Sequence, residues 1–179
     1  MGLAIVLAVR LTAPLAVLRW PFAGALLAIA ADTVDILIFQ LTEFPRWGYH
    51  PTDKALDVYY IAIEAAVAQR WAALPGATAS ALFAYRIAGT AIYELTGART
   101  ALFVFPNLFE FYFLFYAATL TFRPAYALGG RRNAAWMVAL LVPKMGQEYM
   151  LHYAKWLDHL VAVDIIRDVF RAVRGWLGG

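Results

Sequence analysis

Residues Trp20–Leu41 read WPFAGALLAIAADTVDILIFQL, an apolar run carrying two aspartates, Asp32 and Asp35, in its second half. A helix of about 20 residues crosses the hydrocarbon of a bilayer, so the run has the length of a membrane span. An acid inside such a span costs a few kcal/mol unless it is paired or faces water. The same stretch therefore points to a membrane helix and to where its chemistry lies.

The rest of the chain reads the same way. Of 179 residues, 63% are hydrophobic and 15% charged, with a mean hydropathy of +0.64. Soluble domains run at about 45–50% and about 25%. That excludes a soluble enzyme, a disordered chain and a nucleic-acid-binding domain. The absence of cysteine excludes disulfides, thiolate metal sites and Cys nucleophiles. Six apolar segments are expected to span, namely Gly2–Leu18, Trp20–Leu41, Asp53–Trp71, Ala77–Thr96, Thr100–Phe122 and Ala134–Trp156. Leu74-Pro75-Gly76 is read as a break before the fourth and the Phe-rich run Phe103–Phe115 as lipid-facing bulk. The fold class is all-α, a polytopic membrane helical bundle of about six transmembrane helices, or five if the first segment lies in the interface. Residues 1–157 form a single transmembrane domain. Residues 158–179 form an amphipathic helix, with Ile165, Ile166, Val169, Phe170 and Val173 set against Arg167, Arg171 and Arg174. Arg10, in the middle of the first segment, argues against a secretory signal peptide.

Six crossings put both termini on one side. That side receives Arg46, Lys54, Arg99, Lys155, Arg167, Arg171 and Arg174, against Arg19, Arg70, Arg123, Arg131 and Arg132 on the other. The balance makes it the cytoplasmic face, and the expected location a prokaryotic inner membrane.

The spans carry further ionisable residues: Asp57, Glu64, Arg86, Glu94, Glu110, Lys144, Glu148 and His152, with Asn107 beside them. Helical spacing groups them into one polar stripe per span. Asp53, Asp57, Tyr60 and Glu64 share a face, as do Arg86, Thr90, Tyr93 and Glu94, and Lys144, Glu148 and His152. The stripes should converge on a cavity opening toward the cytoplasm, lined by Glu64, Glu94, Asn107, Glu110 and Glu148. Seven acids within the spans (Asp32, Asp35, Asp57, Glu64, Glu94, Glu110 and Glu148) face only Arg86 and Lys144 in this count. Either several are protonated or bound cations neutralise them, and oxygen ligands favour Mg²⁺, Mn²⁺ or Ca²⁺. Blander readings stand beside these: an N-cap for Asp53, an internal Lys144–Glu148 ion pair, structural roles for His152 and His159, and packing for the tyrosines.

Asp32, Asp35, Asp53 and Asp57 form D-x2-D-x17-D-x3-D across the end of one span and the start of the next. In these offsets the sequence resembles the CDP-alcohol phosphotransferase family, whose signature is D-x2-D-G-x2-A-R-x8-G-x3-D-x3-D. The resemblance covers Ala30–Asp57, and Arg86 looks like the family's Arg in the same region. Ile36, Phe39, Gln40 and Tyr49 stand where the family has Gly, Ala, Arg and Gly, so the small residues and Arg that help hold its cytidine nucleotide are missing. The resemblance implies that Asp32, Asp35 and Asp53 are metal ligands with Asp57. It also implies that Asp57 is the catalytic base and that the metal is Mg²⁺ or Mn²⁺. Arg86 and Lys144 would bind phosphate, with His50 on the adjacent loop as a further phosphate contact or ligand. The implied partners are membrane lipids, a phosphate-containing lipid or small-molecule substrate, and a second copy in a homodimer. No organic cofactor and no nucleic acid is implied. The leading expectation is a metal-dependent transferase acting on a phosphoanhydride-linked lipid or alcohol. A cation- or proton-coupled transporter or channel, and a non-catalytic relative serving as a binding or assembly subunit, stay open beside it.

Overall fold

The computed structural model describes residues 2–41, 50–98 and 100–152, which are helical with no strand among them. The helices are α1 (Gly2–Thr12), α2 (Pro21–Leu41), α3 (His50–Ala68), α4 (Ala73–Thr96), α5 (Thr100–Val104), α6 (Leu108–Phe122) and α7 (Gly130–His152). The expected amphipathic helix at 158–179 and the loop residues 42–49 lie outside the described residues.

Proline sets most of the punctuation. Pro14 lacks an N–H and its ring crowds the carbonyl four residues back, so α1 tightens into a 3₁₀ turn over Ala13–Leu18. Pro21 opens α2, where the missing donor costs nothing. Between them the chain reverses so closely that a Cβ on Gly24 would lie 2.3 Å from the Val17 backbone nitrogen. Only glycine lets α2 lie against this turn.

Two expected boundaries move. Leu74-Pro75-Gly76 does not precede the fourth helix; it forms its first turns, because a proline there has no intrahelical donor to lose. The run Thr100–Phe122 is not one straight helix. Pro106 separates α5 from α6. With that interruption it remains the one helix among the described residues long and apolar enough to cross a membrane; Ala4–Leu18 and Pro21–Asp32 are shorter apolar helices. Gly97 ends α4 in the left-handed region (φ 69°), its N–H bonded to the Tyr93 carbonyl at 2.7 Å.

Helix α6 is the hub, packed on α2, α3, α4 and α7. This overturns the reading of Phe103–Phe115 as lipid-facing bulk, since Phe109, Tyr112 and Phe113 are fully buried. A helix with neighbours on four sides has little outward face, and rings fill its gaps. Trp71 stacks on Phe113 with centroids 4.9 Å apart and meets Tyr116 at 4.7 Å. A polar thread crosses this core. The Tyr112 hydroxyl donates to Asn133 Oδ1 (2.7 Å), and Asn133 Nδ2 donates to Thr78 Oγ1 (2.9 Å), tying α6, α7 and α4 together.

Candidate functional site

Asp53 and Asp57 are one turn apart on α3 and project from the same face. Asp53 lies in the first turn, where the helix N-terminus favours an anion. Asp32, on α2, faces them. One carboxylate oxygen from each of Asp32, Asp53 and Asp57 lies within 4.8 Å of the others. Two oxygens on one hard cation at about 2.0–2.6 Å lie at most about 4.0–5.2 Å apart, and the triad's spacing falls inside the upper limit. Three carboxylates and no nitrogen or sulfur donor make a set suited to Mg²⁺, Mn²⁺ or Ca²⁺. The triad could therefore hold a metal ion.

The triad forms one wall of a cavity of about 270 Å³. Arg86, Thr90 and Tyr93 of α4 and Asn107 and Glu110 at the start of α6 line other parts of it. Arg86 Nη1 donates to the Phe105 carbonyl (3.2 Å), an acceptor freed where α5 ends. Asn107 Nδ2 donates to Glu110 (2.8 Å). Lys54, also lining the cavity, pairs with Glu94 and sits 4.1 Å from the Tyr93 ring centroid.

Several anticipated site residues lie elsewhere. Lys144 and Arg86 do not line one cavity. Lys144 lines a second, largely apolar groove between α2, α6 and α7, which meets the first at Ile29 and Glu110. There it donates to Gln147 Oε1 (3.0 Å) and approaches the Phe111 ring. Glu64 is fully buried and neither carboxyl oxygen has a hydrogen-bond partner among the described residues; the buried Tyr60 hydroxyl, one turn away, has none either. Asp35, His50 and Glu148 fall on α2, α3 and α7, but their side chains lie outside the described residues.

The residue that sequence reasoning missed is Arg10. Its guanidinium pairs with Asp32 (2.8 Å), with Asp57 (2.5 Å) and, in a short contact, with Asp53. These partners stand 43 and 47 residues away in the case of Asp53 and Asp57. The count of bases set against the seven acids of the spans thus rises from two to three. The signal was present: a lone Arg inside an apolar segment meets the same test of expense that picked out the acids.

No protein-family model matches this chain, and no curated protein or solved structure is significantly similar to it.

Proposed function

We propose that the protein is a polytopic membrane protein whose triad binds one divalent cation, Mg²⁺ or Mn²⁺, and that the cavity transfers a phosphate-linked group from a phosphoanhydride-bearing lipid or alcohol. The observation that carries this reading is the meeting of three carboxylates from α2 and α3 with Arg86 of α4 around one cavity.

The distribution of polarity supports the membrane part. Arg10, Glu64 and Lys144 are buried, whereas Leu27, Val138 and Val142 are more than half exposed. Charges inside and aliphatic groups outside suit a lipid surround. The proposed location is a prokaryotic inner membrane with the triad end toward the cytoplasm, as the distribution of Lys and Arg favours.

In the reaction, Asp57 accepts the proton of an acceptor hydroxyl, the hydroxyl oxygen forms a new bond to phosphorus, and the phosphoanhydride P–O bond breaks with its phosphate as leaving group. Asp32, Asp53 and Asp57 would hold the divalent ion, which supplies charge neutralisation and polarises the phosphoanhydride. Arg86 turns its fork to phosphate oxygens, and the Phe105 carbonyl fixes its orientation. Tyr60 and Asn107 complete the cavity lining.

A second reading has one observation in its favour. Arg10 already offers the three acids a counter-charge, as a non-catalytic binding subunit would need. Mn²⁺ titration followed by electron paramagnetic resonance, together with a turnover assay, separates the two. The transferase reading expects saturable binding near one ion per chain, and turnover of phosphoanhydride lipids in mixed micelles that stops with EDTA. Asp57→Asn should abolish turnover in a folded protein. Absence of Mn²⁺ binding to the wild type would remove the metal, and turnover retained in Asp57→Asn would remove the base.

A further inference from the structure

Arg10 and the three acids meet, but they stand differently toward the cavity. Asp32, Asp53 and Asp57 line it, with side chains 56%, 38% and 52% exposed; Arg10 does not line it and is 5% exposed. The carboxylates therefore stand between the guanidinium and the open space. The contacts also divide by atom. Nη1 pairs with Asp53 Oδ1, and Nη2 with Oδ1 of both Asp32 and Asp57. A plug that replaced a cation would sit in the cavity; Arg10 is not among the residues that line it.

We infer that Arg10 is a positioning residue for the carboxylate triad: from outside the cavity lining, it draws the three acids together, so that they meet a divalent cation in the cavity as one set. This rests on the metal reading of the site and deepens it. Arg suits the task because its planar fork offers several fixed donors, where an ammonium is a single point. Its position is set from two directions. Helix α1 places it, the 3₁₀ turn after Pro14 carries α1 against α2, and the Tyr59 hydroxyl donates to the Leu11 carbonyl (2.9 Å), pinning the next residue of α1 to α3. Helix α1 thereby becomes part of a site whose proposed ligands all lie on later helices.

The test is Mn²⁺ affinity of the full chain in detergent, for wild type, Arg10→Gln, Arg10→Lys and a control, Asn133→Ala, which loosens the core away from the site. Residues that orient metal ligands from outside the coordination shell typically change affinity by about 10–100-fold when replaced. Arg10→Gln should weaken Mn²⁺ by that factor. Arg10→Lys keeps the charge and loses the fork, so it should fall between Gln and wild type. Asn133→Ala should lower thermal stability with Mn²⁺ affinity unchanged. If Arg10→Gln does not fold, Arg10→Lys decides alone. Wild-type affinity in Arg10→Lys, or equal or tighter binding in Arg10→Gln, overturns the inference while leaving the metal site standing. Failure of the wild type to bind Mn²⁺ overturns the metal reading first, and this inference with it.

Discussion

The packing around α6 and the carboxylate wall around Arg10 solve opposite problems. In the first, Trp71, Phe109, Phe113 and Tyr116 fill space; attraction there is spread over many weak contacts, and no single pair sets the geometry. In the second, a few directional contacts between Arg10 and three acids hold the geometry. A helix bundle can tolerate some repacking of the first region. It has no substitute for the second, because the three acids repel one another once Arg10 is gone.

The sharpest way to break this contrast is Phe113→Ala. Removing a fully buried ring should cost about 3–5 kcal/mol, read as a lowered thermal midpoint, with Mn²⁺ affinity of the surviving folded protein unchanged. An equal loss of Mn²⁺ affinity would mean the two regions are one unit. Next comes Gly24→Ala. Its Cβ would meet the backbone of Ala16 and Val17 at 2.3–2.6 Å, and overpacking of this kind costs about 1–3 kcal/mol, here near the upper end because backbone cannot rotate away. This change pushes the turn that follows α1, and with it Arg10, off α2, so Mn²⁺ affinity should fall along with stability, the one case where a packing change reaches the site. Asn133→Ala follows at about 1–3 kcal/mol, the cost of leaving a buried hydroxyl without its partner; Tyr112→Phe in the same background should recover part of it. Smallest is Lys54→Ala at the exposed Lys54–Glu94 pair, expected under about 1 kcal/mol and smaller still at high salt.

Helix order and extent were largely legible in the residues. Apolar runs such as Trp20–Leu41 and breakers such as Arg123-Pro124 and Gly97 mark where helices run and stop, since length, proline and glycine act on the local backbone. The grouping of Asp53 with Asp57, and of Asn107 with Glu110, was legible for the same reason: neighbours at three or four residues share a helix face. Phe113 was not. An aromatic run looks the same whether it faces lipid or a ring of helices, because both surroundings are apolar and composition does not distinguish them. Lys144 and Arg86 were linked by charge alone, and charge carries no information about which of two adjoining cavities a side chain enters.

What the sequence by itself determined is a set of helices and, on each, which residues lie along one stripe; those follow from the 3.6-residue period and hold before any helix meets another. Tertiary structure alone decided that α6 lies at the centre, that Asp32 meets Asp53 and Asp57, and that a guanidinium from α1 gathers all three. The reason is that an ion pair across more than forty residues depends on how helices pack and where the chain reverses. No local pattern records that.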